Sequence, residues 1–319
     1  MRGSRISFAV CLVLLLGLAV PRWDGQAQDK TVKEAVRFQD FAAIDAGLAS
    51  LGIGARLYTV EYITSPESGQ FGGTVFARDI GNKQLSAHWV PGDPRRYGAN
   101  EIYWTTDQVD GSVSVSFPNA NAAIDRAMNT WQEVICSSVP LTKIPDLGVD
   151  WGYVQWSLGL GGFRGWRADI THAGWLPAGF FDAIAPPNGS TYILGVTFTF
   201  IFVDVAGNPT DIDNNGKRDV AFREIYYNDT FTWSTDGPAW DDPEVDVETI
   251  VLHETGHGLS QGHFGKMFVD ASDPTEPYSV SHLHFAPRAV MNAVYWDTQR
   301  ELLGTDVGGH CSIWGSWPR

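Results

Sequence analysis

Residues His253 to His263 read His-Glu-Thr-Gly-His-Gly-Leu-Ser-Gln-Gly-His. On an α-helix, His253 and His257 lie about 40° apart around the axis, so both imidazoles can reach one metal ion. Glu254 lies about 100° from His253 and about 60° from His257, beside the face that holds the ion. This position favours a general base over a metal ligand. The pattern H-E-x-x-H therefore predicts a metal site with an adjacent base.

His263 constrains the backbone after this helix. If the helix continued, His263 would lie about 9 Å beyond His257 and about 120° off its face, out of reach of the same ion. The chain must therefore leave the helix soon after His257 and turn back. Gly258 and Gly262 flank this stretch, and glycine tolerates the positive φ that such a reversal needs.

The start of the helix has its own signals. Asp242, Pro243 and Glu244 are predicted to be the N-cap, the first helical residue and a first-turn acid. An apolar stripe that can bury the helix follows, formed by Val247, Ile250, Val251 and Leu252.

This histidine spacing, with Met291 downstream in residues 289–293, resembles the metzincin clan of zinc endopeptidases and, within it, the matrixins. Residues 226–233 and 123–131 resemble the acidic stretch before the zinc helix and the first helix of that fold. The resemblance covers residues 98–319 and implies an α+β catalytic domain. Such a domain combines a twisted mixed sheet, a first long helix, a zinc-binding helix and an irregular C-terminal subdomain that contains a methionine turn.

The resemblance also assigns the site residues. It implies that His253, His257 and His263 bind one catalytic zinc ion. Glu254 matches the general base that activates a zinc-bound water, and Met291 matches the methionine of the turn beneath the zinc, a structural role. The implied activity is hydrolysis of peptide bonds in a protein or peptide substrate.

The sequence departs from the matrixin pattern in several places. Ser260 replaces the glycine at the helix break, which costs on the order of 1 kcal/mol if this residue is left-handed. Tyr226 stands where a histidine of a structural zinc is expected, so we predict a single zinc. Tyr295 is too distant from the methionine turn to match the tyrosine ligand of some metzincins. No cysteine between the signal region and Cys136 matches the propeptide cysteine that blocks the zinc in matrixins.

Two other functions fit the same motif. In a gluzincin-like hydrolase the third ligand would be an acid, for example Glu276, in place of His263. In a secreted binding protein without activity, the same fold would use the aromatic residues that are dense between positions 151 and 175. The intact Glu254 favours an enzyme, because a site that only binds has no need of the base.

A second motif runs from Asp211 to Asp219. Oxygen donors at its positions 1, 3, 5 and 9, and glycine at position 6, match a calcium loop of the EF-hand type. Phe222 stands where such loops have a bidentate glutamate. An Asx-rich turn without an ion is the alternative. The candidate ligands are the side chains of Asp211, Asp213, Asn215 and Asp219 and the carbonyl of Lys217.

The N-terminus has the pattern of a secretory signal. Arg2 and Arg5 precede an apolar run of about 15 residues, shorter than the span of about 20 that a membrane helix needs. We therefore predict a signal peptide over residues 1–27, a secreted protein (extracellular or periplasmic) and no membrane span after cleavage; an uncleaved anchor is the alternative. Residues 28–97 are either a propeptide or an N-terminal elaboration.

The net charge limits the classes of partner that the protein can bind. The formal net charge is −15, and removal of residues 1–27, which carry +2, leaves −17. Nucleic-acid binding is disfavoured because it needs a basic face.

Cys136 and Cys311 remain after cleavage and are predicted to pair in an oxidising compartment, with two buried thiols as the alternative. Such a bond contributes about 4–5 kcal/mol in the chain-entropy model.

Periodicity predicts the main elements around these motifs. A helix is expected over residues 119–134, and partial helix over 28–56. A strand is expected over residues 57–63, pairing with 73–78 through a turn, and another over the long apolar run 192–204.

Overall fold

The computed structural model describes residues 39–65, 73–75, 84–239, 242–269 and 283–318. Its α-helices are α1 Gln39–Ser50, α2 Phe117–Gln132, α3 Tyr153–Ser157, α4 Ala178–Ile184, α5 Val247–Gly258 and α6 Gly304–Trp314. Its strands are β1 Ala55–Thr64, β2 Gly73–Val75, β3 Ala87–His88, β4 Ile102–Thr106, β5 Leu141–Lys143, β6 Ile170–Leu176, β7 Ile193–Phe202, β8 Arg218–Asn228, β9 Trp233–Ser234, β10 Val245–Asp246, β11 Lys266–Val269 and β12 Leu283–Ala286. The predicted signal peptide and Glu276 lie outside the described residues.

A mixed sheet of eight strands forms the frame, in the order β2-β1-β7-β8-β6-β4-β5, with β3 paired to β8. Strands β8, β6, β4 and β5 are mutually parallel neighbours. Strand β7 runs antiparallel to both β1 and β8, and β2 runs antiparallel to β1. A mixed sheet with helices packed on it agrees with the predicted α+β class.

Helices cover both faces of the sheet. On one face, α2 and α5 contribute Trp131 and Ile250 to the first apolar cluster. On the other, α1 and α4 contribute Phe41 and Phe180 to the second cluster. β7 supplies side chains to both clusters because alternate residues of a strand point to opposite faces. This explains the continuous apolar run that predicted the strand.

Local periodicity predicted these elements well. The helix expected over residues 119–134 is α2, with Ile124, Ala127, Met128 and Trp131 buried on one face. The strand expected over residues 57–63 is β1, and β2 pairs with it antiparallel, as the intervening turn signals indicated. The partial helix expected near the N-terminus is α1.

The predicted start of the helix that carries His253 and His257 is wrong. Helix α5 begins at Val247, and its N-cap is Asp246, whose carboxylate accepts the N–H of Thr249 at 2.9 Å. Arg300 pairs with the same carboxylate at 2.5 Å, and β10 holds the preceding residues beside β9. These distant partners keep Asp242 and its neighbours out of the helix.

The N-terminal region contributes strands to the main sheet. Among the described residues after α5, the regular elements are the antiparallel pair β11 and β12 and the helix α6. Cys136, after α2, is bonded to Cys311 of α6, with their Cα atoms 5.6 Å apart. Among the described residues, no helix is both long and apolar enough to cross a membrane.

Candidate metal centre

Three imidazole nitrogens meet at one point next to α5. The Nε2 atom of His257 lies 3.1 Å from that of His253 and 3.2 Å from that of His263, and the last two atoms are 3.3 Å apart. A tetrahedral zinc with Zn–N bonds of about 2.0–2.1 Å holds its nitrogen ligands about 3.3 Å apart. The three histidines can therefore hold a metal ion, and their spacing suits zinc.

Hydrogen bonds on the other ring nitrogens set the tautomers. The Nδ1–H of His253 donates to the carbonyl of Val290 at 2.7 Å, and the Nδ1–H of His257 donates to that of Gln261 at 2.8 Å. A proton on Nδ1 leaves a lone pair on Nε2 in each neutral ring. Two lone pairs that face each other repel unless a cation lies between them, so the donor set fits a bound metal.

Burial keeps these rings neutral, as metal ligation requires. It lowers the pKa of His253 to about 4. Burial also lowers the pKa values of His257 and His263 well below the ordinary value, and the other imidazoles add to this effect. His253 and His257 are fully buried, whereas His263 is partly exposed at the edge of an open pocket.

The predicted chain reversal occurs at Ser260. Helix α5 ends at Gly258, and the N–H of Gln261 returns to the carbonyl of Gly256 at 2.9 Å. Ser260 has a φ of 70°, so this residue, and neither Gly258 nor Gly262, takes the left-handed conformation of the reversal. Its buried hydroxyl bonds to His88 Nδ1 at 3.0 Å and accepts from Arg223 at 3.0 Å. These bonds offset the strain of a non-glycine residue here.

The carboxylate of Glu254 lies between α5 and β7. Thr197 donates its hydroxyl to Oε2 at 2.6 Å. A β-carbon on Gly195 would lie 3.1 Å from Oε1, so the strand has no side chain where the carboxylate approaches it. The N–H of Ile63 is close enough to lower the pKa of Glu254, but Oε1 accepts no well-formed hydrogen bond from any described residue. Burial outweighs these effects and raises the pKa of Glu254 well above its ordinary value.

Met291 lies directly beneath the helix of the centre. It is 1% exposed, and its sulfur occupies the place where a β-carbon on Gly256 would stand. Trp131 approaches the same place, at 3.1 Å. Gly256 is one of the two variable positions of the H-E-x-x-H motif. The packing of Met291 against the helix therefore requires a glycine there.

Asp306 of α6 supports the turn that carries Met291. Its carboxylate accepts the N–H of Val290 at 2.9 Å and the N–H of Met291 at 3.1 Å. The Val290 carbonyl accepts the Nδ1–H of His253. Asp306 therefore helps to position the His253 imidazole through Val290. Sequence reasoning missed this role, since an aspartate at the start of a helix usually signals only a cap.

The predicted calcium loop brings its three aspartates together. The carboxylates of Asp211, Asp213 and Asp219 each place an oxygen within 4.8 Å of the others. The N–H of Gly216 donates to Asp211 at 2.9 Å and closes the loop.

Other contacts in this loop compete with an ion. Asn215 Oδ1 accepts the N–H of Lys217 at 2.7 Å, and Asp219 pairs with Arg95 at 2.8 Å. Phe222 is a core residue stacked on Phe200. Calcium binding at this loop stays a prediction.

A second acidic group was not predicted. Asp107, Asp110 and Asp150 place carboxylate oxygens within 4.8 Å of one another. Burial, with a contribution from Asp110, raises the pKa of Asp107 to about 7. Asp107 and Asp110 share the loop after β4, whereas Asp150 lies in the loop before α3, so its proximity to them has no local sequence signal.

A comparison with models of known protein families matches none of them, and a comparison with curated proteins likewise finds no match. The functional interpretation therefore depends on the residues and geometry of the chain itself.

Proposed function

We propose that this protein is a secreted zinc-dependent endopeptidase of the metzincin type, most similar to the matrixins. The observation that carries the proposal is the triangle of Nε2 atoms from His253, His257 and His263, whose separations suit a tetrahedral zinc. Three further features support the same family. β7 lies antiparallel beside the parallel strands, α2 packs beside α5, and Met291 lies beneath α5.

A zinc ion held by three imidazoles supplies a Lewis acid that lowers the pKa of water and polarises a scissile carbonyl. Glu254 supplies the base. Thr197 orients the carboxylate through Oε2, which leaves Oε1 to take the proton of the attacking water and pass it to the leaving amine. A nearby divalent cation favours the ionised carboxylate and opposes the rise in its pKa that burial causes.

The two alternatives have less support. A gluzincin-like site would need an acid such as Glu276 as third ligand, whereas His263 already converges on the other two rings. A binding protein would need several exposed aromatic residues; Phe163 is 43% exposed, but Trp151 and Trp175 are buried, at 8% and 4% exposure. Trp166 stacks on a core phenylalanine.

The test combines metal content with hydrolysis of a quenched-fluorescent peptide library. We expect about one zinc per wild-type chain. Glu254→Gln should keep the zinc and lose hydrolysis, while Glu133→Gln, on an exposed helix end, should change neither. His263→Ala should lose the zinc. Wild-type hydrolysis by Glu254→Gln would refute the base, and full zinc retention by His263→Ala would point to Glu276 as the ligand.

A further inference from the structure

Arg223 is a buried cation in the middle of the main sheet. It lies on β8, between β7 and β6, and is 0% exposed. Alternate residues of a strand face opposite sides of the sheet, so Arg223 shares with Ile225 the side that α5 covers. Burial lowers the pKa of Arg223 to about 9, so its guanidinium is still charged at pH 7. A buried charge costs free energy unless it is hydrogen-bonded, so the partners of this guanidinium indicate its role.

The guanidinium caps the end of α5. Its Nη1 donates to the carbonyl of Gly258, the last residue of the helix, at 2.7 Å and to the Ser260 hydroxyl at 3.0 Å. The last four carbonyls of a helix have no partner within the helix, and a positive charge near them is favourable. The indole of Trp89 donates to the same Gly258 carbonyl at 3.1 Å. Arg223 therefore contacts both the residue at which the helix ends and the left-handed residue that turns the chain.

The other donors of the guanidinium hold it in place. Nε donates to the Thr199 hydroxyl on β7 at 3.0 Å, and Nη2 donates to the Ala87 carbonyl on β3 at 3.3 Å. The central carbon of the guanidinium lies 5.4 Å from the centre of the Trp89 ring. Strands β8, β7 and β3 thus fix one side chain between them, which makes it a rigid support for the chain reversal.

His263 depends on this reversal more than the other two histidines do. Each of the other two rings donates its Nδ1–H to a main-chain carbonyl. Within the described part of the chain, Nδ1 of His263 has no such acceptor, so the path of the main chain determines where this ring lies. The path leaves the helix at Ser260, and beyond the ring the N–H of Phe264 donates to the Met291 carbonyl at 2.8 Å.

We propose that Arg223 is the positioning residue of the third metal ligand: by capping α5 and holding Ser260, it fixes the turn that brings His263 to the other two imidazoles. The inference rests on the zinc centre of the proposed function. It assigns a role at this centre to β8, a strand that supplies none of the three histidines. The Ser260 hydroxyl belongs to the same device, because a glycine at this position would remove one of the two acceptors of Nη1.

The test measures the zinc affinity of full-length chains by competition with a fluorescent chelator. Arg223→Met removes every donor of the guanidinium. Arg223→Lys retains the charge but replaces the planar fork with a single ammonium, and it guards against misfolding because a cation stays at this position. Both variants should bind zinc about 10-fold more weakly than wild type, since the third imidazole is no longer held in place for the ion.

Glu224→Gln is the matched control. Glu224 is the next residue of β8 and is 1% exposed. It faces the other side of the sheet, where it accepts the N–H of Tyr153 at 2.7 Å. This substitution should lower the free energy of unfolding of the metal-free chain and leave zinc affinity unchanged. A loss of affinity as large as that of Arg223→Lys would overturn the positioning role, because the loss would then follow from any weakening of β8.

Chemical modification identifies the ligand that is affected. Diethyl pyrocarbonate acylates an imidazole through a free nitrogen lone pair, which a zinc-bound ring with a protonated Nδ1 lacks, and mass spectrometry locates the product. All three histidines should be protected in zinc-loaded wild type. In zinc-loaded Arg223→Lys, His263 should lose this protection while His253 and His257 keep it. Equal protection of His263 in the two proteins would contradict the proposal.

The outcomes separate the positioning role from the peptidase function. Wild-type zinc affinity in both Arg223 variants would overturn the positioning role and leave the peptidase function standing. If the variants lose affinity as expected but zinc-loaded wild type hydrolyses no peptide of the library, the positioning role stands and the peptidase function fails. If wild-type chains bind no zinc, both proposals are overturned.

Discussion

Asp306 accepts the main-chain N–H of Val290 at 2.9 Å, and the carbonyl of Val290 in turn accepts the Nδ1–H of His253 at 2.7 Å. A carboxylate on α6 thereby orients one of the three converging imidazoles, that of His253 on α5. Groups that orient a ligand in this way raise metal affinity, because the ring does not have to be ordered when the ion binds.

Asp306→Asn should therefore weaken zinc binding. The amide retains one acceptor oxygen where the carboxylate uses both, so the turn at Val290 loosens. We expect a loss of about 10-fold in zinc affinity, measured by competition with a fluorescent chelator. Asp297→Asn, which breaks an exposed ion pair with Arg288, is the control and should leave affinity unchanged. Equal affinity in both variants would show that the turn is held by other contacts.

Gly256→Ala should destabilise the protein although alanine is the better helix former by about 1 kcal/mol. The new methyl group meets the Met291 sulfur and the Trp131 ring, and overpacking of this kind costs about 1–3 kcal/mol. Gly179→Ala in α4 is the matched control, since its β-carbon meets nothing within 4 Å. Urea denaturation measures the free energy of unfolding of both variants. Adding Met291→Ala should recover part of the loss, and no recovery would place the clash elsewhere.

Substitutions at Ser260 separate backbone strain from hydrogen bonding. Ser260→Ala and Ser260→Gly both remove the hydroxyl that bonds to His88 and Arg223. Each should be less stable than wild type. Alanine retains the strain of a φ near 70° and glycine does not, so Ser260→Ala should be the less stable variant by about 1 kcal/mol. Equal thermal midpoints for the two variants would contradict this account.

His172 should make stability depend on pH. Burial lowers its pKa from 6.5 to about 3, so the unfolded chain binds a proton in this range and the folded chain does not. The stabilisation from neutral His172 is complete above about pH 6.5 and is lost as the pH falls toward 3, at about 1.4 kcal/mol per pH unit.

His172→Gln removes this dependence and keeps a partner for the Tyr227 hydroxyl, which lies 2.7 Å from His172 Nδ1. The difference in unfolding free energy between wild type and variant should shrink between pH 6 and pH 4, measured by urea titration in a chelator. Tyr227→Phe retains the imidazole and should retain the wild-type slope. Parallel pH profiles for wild type and His172→Gln would refute the assignment.

Parts of this structure could be predicted from the sequence because they depend only on local geometry. The spacing of His253 and His257 suffices to place both rings on one helix face, because the period of a helix is the same in every context. α2 and β7 could be predicted for a similar reason. The apolar periodicity of α2 and the apolar run of β7 depend only on the residues of each element. His263 required a chain reversal, and glycines near the break indicated where it falls.

Contacts between segments that are distant along the chain could not be predicted from the sequence, because they form only in the folded protein. Arg300 helps to place the helix start at Asp246 instead of Asp242, and Met291 requires Gly256 to lack a side chain. From the sequence, the helical period predicted that His253 and His257 share one face, whereas the fold brings His263 to the same point. The pairing of β1 with β7 has no such signal, because a strand selects its neighbours by packing and hydrogen bonding across the folded sheet.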